Sequence, residues 1–384
     1  MYDAIVAGCG LSGATVARHL AEHSGKKVLI LERRNHIGGN MFDYRDPCGI
    51  LIQKYGPHTF HTKKKELFEF IQQFTEWIPY KLTCGAVIDG QYTPTPFNFQ
   101  TIDDFFDEIL AGKIKSAIHE EFPDRNYATV LELLKHSNVF IRQFAEFLFE
   151  KDYSLYTAKQ WGVSPQEIDP AVLKRVPVRF NYDIGYFDDE YQVMPQTSYT
   201  AFFENLLKHP NIEIRLDCDF MEHVSLHEEK KEIYFEGTVF DGTVIYTGAI
   251  DELFHYKYGE LPYRSLRFEW QTDNIRSFQE APVVAYPQAD KYTRITEYTK
   301  LPVQDVGEKT TYAVEYPIHY IKGIKSEPYY PVLTDKSKKL YEKYKKDAEQ
   351  YIQLCLCGRL ADFKYYNMDE ALERALKVCE QLKK

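Results

Sequence analysis

The sequence predicts an α/β fold, in which a parallel-sheet domain assembled from discontinuous segments carries an inserted helical domain and an antiparallel β-sheet domain. Three observations predict this fold. The chain opens on a strand–turn–helix–strand pattern over residues 3–31, and residues 101–160 show the i, i+3, i+4 apolar spacing of helices. Residues 80–98, 176–196 and 263–320 instead alternate aromatic and β-branched residues with polar ones, which is typical of antiparallel strands.

The opening pattern contains a G-x-G-x-x-G motif at Gly8, Gly10 and Gly13, directly after a short apolar strand. Gly8 permits a tight turn, Gly10 lets the backbone approach a pyrophosphate, and Gly13 lets the helix pack closely on the strand. The helix-like run that follows, Ala14 to Ala21, directs free N-terminal N–H groups at phosphates, and Leu11 and Ser12 in the motif before it are expected to contact the cofactor. The motif therefore predicts a Rossmann-like dinucleotide site.

The residues after the second strand favour FAD over a nicotinamide cofactor. Glu32 ends that strand, where a carboxylate can hold a ribose hydroxyl, and its charge argues against a 2′-phosphate. Arg33 follows, and Gly38-Gly39-Asn40 adds a second glycine pair of the kind found at the start of flavoenzymes. All five residues are expected to contact the FAD.

Composition narrows the function classes. The net charge of −10 disfavours nonspecific binding to nucleic acid or to anionic membranes, since both need a positive field. No apolar run reaches about 18 residues, so no membrane insertion is expected. No signal peptide is recognised, and the 7 cysteines include no C-x-x-C pair, which predicts reduced thiols, no metal site and a cytoplasmic location.

The opening unit cannot form a complete sheet alone, so its remaining strands must come from later segments. Candidate strands occur at 212–216, 231–235, 242–248 and 351–356, and Asp369 is expected to cap the final helix. The predicted domains are an FAD-binding domain (1–75, 197–250 and 332–384), a helical domain (99–160), and an antiparallel-sheet substrate domain (76–98, 161–196 and 251–331) with a mobile lid near 162–178.

Seven motifs, in order along the chain, together resemble the bacterial UDP-galactopyranose mutase family essentially from end to end. One such motif alone would be weak, whereas all seven in the family's order are specific. They are Arg34-Asn35-His36-Ile37-Gly38-Gly39-Asn40, Tyr55-Gly56-Pro57-His58-Thr59-Phe60-His61-Thr62, Tyr156-Thr157-Ala158-Lys159-Gln160-Trp161-Gly162, Lys174-Arg175-Val176-Pro177-Val178-Arg179-Phe180, Tyr292-Thr293-Arg294-Ile295-Thr296-Glu297, Glu327-Pro328-Tyr329-Tyr330-Pro331 and Gly358-Arg359-Leu360.

The resemblance implies a reduced-flavin enzyme that interconverts UDP-galactopyranose and UDP-galactofuranose for cell-surface polysaccharide biosynthesis. In that family the flavin N5 attacks the anomeric carbon and expels UDP, giving a flavin–sugar adduct that opens and recloses on another hydroxyl. No net oxidation occurs, but an external reductant such as NAD(P)H must first reduce the FAD. Family members are often homodimers, which is the expectation here.

The resemblance also implies roles for individual residues. Arg175 and Arg294 match arginines that hold the diphosphate, a role suited to a planar, permanently charged guanidinium, whereas Arg179 has no comparable support. Tyr156 matches the tyrosine that stacks on uracil, and Trp161 lies beside the sugar in the family. The other implied substrate contacts are Thr157, Tyr186, Tyr330 and Tyr365.

The flavin itself is implied to lie against His58 and His61 on one side and Arg359, Asn367 and Met368 on the other. Metal ligation by the two histidines is disfavoured, because Gly56-Pro57 predicts a turn before them and no further ligand has suitable spacing. The residues expected to act in catalysis are Arg175, Arg294, His61 and Tyr365.

Several positions depart from the family pattern. Asn367 replaces an aspartate, Leu82 an asparagine and Tyr298 a histidine, while Leu155, Val193 and Ser198 replace glycines. The reaction type is expected to be retained, but the ligand is open to being UDP-N-acetylgalactosamine or a deoxy-galactose nucleotide instead. Two further alternatives are a flavin amine-oxidase-like oxidoreductase, which begins with the same signature, and a non-catalytic FAD-binding protein.

Overall fold

The computed structural model describes residues 1–162, 177–322 and 326–382. Within this part of the chain the helices are α1 Leu11–Ser24, α2 Lys65–Gln72, α3 Phe99–Phe105, α4 Glu108–Glu121, α5 Val130–Leu134, α6 Val139–Leu148, α7 Ser154–Trp161, α8 Tyr199–Leu207, α9 Phe220–His223, α10 Ile250–Leu253, α11 Asp335–Ala348 and α12 Met368–Leu382. A 3₁₀ turn covers Gly39–Met41, and a π-helical segment, Phe149–Tyr153, joins α6 to α7.

The strands, in chain order, are β1 Ala4–Ala7, β2 Val28–Leu31, β3 Asp43–Arg45, β4 Leu51–Gln53, β5 Phe60–Thr62, β6 Trp77–Pro79, β7 Cys84–Ile88, β8 Gln91–Thr95, β9 Tyr127–Ala128, β10 Val178–Arg179, β11 Tyr191–Pro195, β12 Ile212–Arg215, β13 Val224–His227, β14 Glu232–Phe235, β15 Thr238–Val239, β16 Thr243–Tyr246, β17 Tyr263–Asp273, β18 Val283–Ala285, β19 Arg294–Glu297, β20 Thr310–His319, β21 Tyr330–Pro331 and β22 Leu354–Leu356.

A five-stranded sheet of order β12-β2-β1-β16-β22 forms the dinucleotide-type domain, and all its pairings are parallel. Both faces of the sheet are covered, which is the rule for parallel sheets. Val6 and Ile30 point into an apolar core shared with α1 and α8, whereas Ile5 and Leu29 point into a second core shared with α11. The predicted α/β fold with a sheet assembled from separated segments is confirmed.

One predicted strand of that sheet is placed wrongly. Of the candidates at 212–216, 231–235 and 242–248, the first and third supply β12 and β16, but the second supplies β14. This strand pairs with β13 and β15 in a separate antiparallel sheet of three strands. Residues with strand propensity mark a strand without specifying its partner, because the partner is set by tertiary packing.

The large sheet has seven strands in the order β21-β17-β20-β19-β18-β7-β8. Its pairings are antiparallel except for β18 with β7, which run parallel, so the expected antiparallel sheet is correct in outline only. Strand β11, predicted near the same sheet, instead pairs with β5 and β6, and the loop before it lines the cavity described below.

Helices α3 to α6 pack around one apolar core, in agreement with the helical spacing over residues 101–160. Fully buried side chains such as Ile114, Leu133, Phe144 and Leu148 form its centre. Each of the helices α3 to α6 is preceded by a residue whose side-chain oxygen caps its first turn, which stabilises the start of the helix. These N-cap residues are Asn98, Asp107, Thr129 and Asn138.

The final helix starts earlier than predicted. It begins at Met368, so Asp369 lies in the first turn and is not the cap, and its Oδ1 accepts from the Glu370 N–H at 2.8 Å. None of the helices in the described ranges is both long and apolar enough to cross a membrane.

Candidate functional site

The glycine turn after β1 is closely packed. Gly8 has a φ of +94°, and a Cβ on Gly13 would lie 2.1 Å from the Gly8 carbonyl oxygen, so neither position accommodates a side chain. Gly10 precedes α1 without any side-chain cap, which leaves the first N–H groups of Leu11 and Ser12 available. A Cβ on Gly39 would lie 2.8 Å from the Gly10 Cα, so the two glycine loops predicted to hold FAD touch each other.

Glu32 lies beside this turn and is 5 % exposed. Its Oε2 accepts from the Cys9 N–H at 2.7 Å and its Oε1 accepts from the Arg34 N–H at 2.9 Å. These bonds orient the carboxylate, and each oxygen keeps a lone pair for a ribose hydroxyl. Arg33, by contrast, is paired with Glu252 at 3.0 Å, so its predicted cofactor contact remains a prediction.

A cavity of about 1140 Å³ lies where the predicted FAD, helical and antiparallel-sheet domains meet. This volume is above the usual range for small-molecule sites, which suits a ligand as large as a nucleotide sugar together with part of a cofactor. A smaller cavity of about 390 Å³, near residues 299–309, shares no lining residue with it. The predicted site residues that line the large cavity are His58, His61, Tyr156, Thr157, Tyr186, Arg294, Tyr330, Arg359, Tyr365, Asn367 and Met368.

Gly358 joins the cavity to the glycine turn. It has a φ of +110°, and a Cβ there would lie 3.2 Å from the Ser12 Oγ. The next residue, Arg359, lines the cavity, so the start of α1 and the cavity are in contact with consecutive residues of the chain. Two predicted site residues cannot be located in this way. Arg175, like most of the predicted lid, falls within 163–176, outside the described residues, and the side chain of Trp161 is also not described.

Arg294 extends from β19 into the cavity. Its Nε donates to Glu315 Oε2 at 2.7 Å, and Glu315 is fully buried and also accepts from the Thr296 hydroxyl at 2.7 Å. Neither Nη group has a hydrogen-bond partner among the described residues, so this edge of the guanidinium is available to a ligand in the cavity. Burial acts to lower the pKa of Arg294, but Glu315 and the nearby tyrosines outweigh it and raise the pKa, so the cation persists.

The rings of Tyr330 and Tyr365 stack with their centroids 5.5 Å apart. The Arg359 guanidinium carbon lies 5.4 Å and 5.1 Å from these two rings, and its nitrogens donate to the carbonyls of Tyr329 and Tyr366. Burial, followed by the neighbouring Tyr365, raises the pKa of Tyr330, so its hydroxyl stays a neutral hydrogen-bond donor.

The two predicted flavin histidines are in different states. His58 follows the Gly56 turn, its Nδ1 lies 2.8 Å from the Gly56 carbonyl oxygen, and burial lowers its pKa to about 4. His61 lies in β5 with its Nδ1 bonded to Asp189 and its ring stacked on Phe187. His58 is therefore neutral near pH 7, whereas His61 is oriented by a carboxylate. Across the described segments no group of three His, Cys, Asp or Glu side chains is arranged to hold a metal ion.

The cavity residues that the sequence reasoning missed include Asp152, Phe187 and Asp189. Nothing in the local sequence marks them, since Asp189 is far from His61 along the chain. Arg179 also lines the cavity, but its guanidinium donates to the Gly185 carbonyl and, at 2.6 Å, to Asp188. That arrangement supports the loop before β11 and agrees with leaving Arg179 out of the substrate contacts.

The departures from the family pattern fall in different environments. Leu82 and Asn367 line the cavity, so both can influence the ligand. Tyr298 is fully buried, lies 5.2 Å from Trp270 between ring centroids, and is not part of the cavity lining. Ser198 caps α8 through the Ala201 N–H at 3.0 Å, which is a structural role. Tyr298 therefore lies outside the lining of this cavity.

The parallel sheet and its glycine turn define a dinucleotide-binding protein, and the adjoining cavity presents an arginine edge and stacked tyrosines. A Rossmann-like NAD(P)-binding domain model matches residues 6–74, and the UDP-galactopyranose mutase model matches residues 151–365.

Full-length relatives agree with these matches. The chain is 34% identical over 387 residues to a UDP-galactopyranose mutase of Mycoplasma pneumoniae, covering 99% of this chain and 96% of that one. It is 35% identical to a probable UDP-galactopyranose mutase of Klebsiella pneumoniae, with 98% and 94% covered, and 33% identical to a dTDP-fucopyranose mutase of Escherichia coli, with 100% and 98% covered. The chain belongs to the UDP-galactopyranose mutase family, a family of isomerases.

The fold agrees as well. A crystal structure of reduced UDP-galactopyranose mutase matches with a TM-score of 0.75 at 16% identity, covering 100% of this chain and 96% of that one. A putative protoporphyrinogen oxidase from Exiguobacterium matches with a TM-score of 0.65 at 11% identity. At such low identity these likenesses show the shared architecture alone.

Proposed function

We propose that this protein binds FAD and, with the flavin reduced, interconverts UDP-galactopyranose and UDP-galactofuranose. The observation that carries the proposal is the free Nη edge of Arg294, aimed into a cavity that adjoins the glycine turn. An oxidoreductase that removes hydride from a neutral substrate has no use for such a cation. Family membership and the three named relatives support the same reaction type.

The residues present fit FAD. The glycine contacts at Gly10, Gly39 and Gly358 leave backbone where side chains would obstruct a pyrophosphate, and Glu32 is positioned for a ribose. Arg359 and the start of α12 also line the cavity, where a cation and a helix N-terminus stabilise negative charge. The reduced flavin, primed by a reductant such as NAD(P)H, would supply its N5 as the nucleophile at the anomeric carbon.

The protein's own contribution is to hold the diphosphate while it leaves and returns. Arg294 binds phosphate oxygens through its Nη groups, because Glu315 fixes the guanidinium from behind. Arg175 is proposed as the second cation, and the Tyr330 and Tyr365 hydroxyls as neutral donors. Tyr156 is proposed to stack on the base, and Thr157, Trp161 and Tyr186 are proposed as further substrate contacts, with Trp161 beside the sugar.

His58 and His61 are proposed to position the isoalloxazine ring. A neutral His58 keeps one ring nitrogen for a hydrogen bond without adding positive charge. Asp189 holds His61 through Nδ1, which leaves Nε2 as the nitrogen that can face cofactor or sugar. His61 is proposed to assist proton movement at the sugar during ring closure, together with the Tyr365 hydroxyl.

A second candidate substrate is a dTDP-linked 6-deoxy-galactose. The relative named dTDP-fucopyranose mutase is as similar to this chain as the galactose relatives are, so overall identity does not choose between the sugars. Leu82 favours the deoxy sugar, because an apolar side chain in the cavity wall suits a methyl group better than a hydroxyl. We further propose a cytoplasmic homodimer that binds no nucleic acid.

The test is a panel of nucleotide sugars. The purified protein is expected to be yellow, and after dithionite reduction it should convert UDP-galactofuranose or dTDP-fucofuranose to the pyranose, measured by chromatography. UDP-N-acetylgalactosamine completes the panel. Equal activity with oxidised flavin would overturn the reduced-flavin mechanism, and an oxidised product formed with stoichiometric reduction of the flavin would instead identify an oxidoreductase. Size-exclusion chromatography with light scattering tests the dimer.

A further inference from the structure

Asp152 is an acid without a partner in the cavity wall. Four acidic residues line the cavity, and three of them are paired: Asp188 with Arg179, Asp189 with His61, and Glu370 with the Asn367 N–H at 2.7 Å. The Asp152 carboxyl makes no hydrogen bond or ion pair with the described residues. An acid left unsatisfied in a partly buried place calls for an explanation, and a ligand is one.

The nearest cation does not explain Asp152. Lys159, two turns further along α7, donates to the backbone carbonyls of Tyr286, Ala289 and Tyr292 at 2.8, 2.6 and 3.0 Å. These three bonds use all three donors of an ammonium group. Asp152 and Lys159 form no ion pair, although the positive charge of Lys159 acts on the carboxyl at longer range and lowers its pKa.

Aromatic and proline residues line the same cavity as Asp152. Asp152 lies in the π-helical segment Phe149–Tyr153, a type of distortion that is frequent at functional sites. Tyr156 follows one turn later on the same side of the helix, and both side chains line the cavity along with Pro96 and Phe97. Aromatic and proline faces of this kind suit a stacked base whose edge must then meet Asp152.

We propose that the Asp152 carboxyl pairs with the imide edge of the nucleotide base, so that it recognises uracil or thymine. Its carbonyl oxygen accepts the N3–H of the base, and its O–H donates to the adjacent base carbonyl. This inference rests on the proposed function, and it extends that function to a residue that selects the base. It applies equally to UDP and dTDP sugars, since both bases carry the same imide.

The protonation state agrees with this geometry. A neutral carboxyl offers one donor beside one acceptor, which complements an N–H beside a C=O, whereas an ionised carboxylate would repel the base carbonyl. Burial raises the pKa of Asp152 to about 7, with Lys159 opposing the shift, so the neutral form is accessible at neutral pH. An asparagine at this position presents the same donor and acceptor without titrating.

The experiment compares UDP with N3-methyl-UDP, which lacks the imide donor, using calorimetry on the reduced and oxidised holoenzyme. Wild type is expected to prefer UDP by at least about tenfold, the size of one lost hydrogen bond with an unpaired partner. Asp152→Asn should retain that preference. Asp152→Leu, which keeps the branching at Cγ but is larger and apolar, should lose it, and Asp152→Ala repeats the test in case leucine disturbs the fold.

The outcomes separate the two proposals. An unchanged preference in both Asp152→Leu and Asp152→Ala would overturn the pairing with the base, whatever the turnover. UDP binding with the expected preferences but without sugar conversion would remove the proposed reaction and leave the base recognition standing. Failure of wild type to bind UDP or dTDP would overturn both.

Discussion

Arg294 offers the sharpest test of the proposed chemistry, because its two sides have different roles. One side pairs with Glu315, which is fully buried, and the other faces the cavity. Arg294→Met removes both contributions while keeping most of the side-chain volume. Arg294→Met combined with Glu315→Gln removes the guanidinium as well, but leaves no buried charge behind.

The expected magnitudes follow from these contacts. The single variant strands the Glu315 carboxylate with the Thr296 hydroxyl as its remaining side-chain partner, which costs about 3 kcal/mol in the free energy of unfolding, the lower end of the range for broken buried pairs. The partial exposure of Arg294, 24 % of its side chain, places the value at that end. The double variant should recover to within about 1 kcal/mol of wild type.

Catalysis should respond differently. Both variants lack the Nη edge, so both should lose about 3 kcal/mol of transition-state stabilisation, or about 150-fold in kcat/KM. Denaturant unfolding measures the first quantity, and turnover of the reduced enzyme at a temperature where all variants are folded measures the second. If the double variant regained activity together with stability, Arg294 would be a structural residue and the diphosphate role would be refuted.

Three further predictions use other parts of the structure. Asp189→Asn should lower kcat by about tenfold, since His61 loses a charge-assisted bond of ~1.5 kcal/mol, while the KM for the sugar nucleotide stays nearly constant. An unaltered flavin spectrum in this variant would show that the lower kcat is not caused by unfolding. No loss of kcat would contradict the positioning role of Asp189. Leu82→Asn should raise kcat/KM for UDP-galactofuranose relative to dTDP-fucofuranose by about tenfold, and a constant ratio would exclude Leu82 from sugar selection. Burial raises the pKa of Asp251 to about 6, so its neutral form stabilises the fold at low pH. This contribution is lost as the pH rises through 6. The free energy of unfolding of Asp251→Asn, measured by thermal unfolding, should therefore exceed that of wild type by up to about 3 kcal/mol at pH 8 and by little at pH 4.

The parts of the fold that could be predicted are those carried by local patterns. Gly8, Gly10 and Gly13 are spaced by the needs of a turn and a close helix packing, and the structure shows those contacts. The failures involve strand partners. β14 has the same β-rich composition as β16, yet one pairs at a separate small sheet and the other enters the parallel sheet between β1 and β22. Composition cannot distinguish these outcomes, because the choice depends on which core covers each face.

The candidate site divides along the same physical line. Family motifs identified Arg294, Tyr330 and Tyr365, because those side chains stand in recognisable strings of residues. Asp152 stands among the charged residues Glu150 and Lys151, and no local property distinguishes an acid that faces solvent from one that faces a cavity. Only the path of the π-helical segment places Asp152 in the wall, beside a lysine whose donors are already used. The case for Asp152 as the proposed base-selecting residue depends on its lack of hydrogen-bond partners among the described residues. That lack is a property of the folded chain and cannot be read from the local sequence.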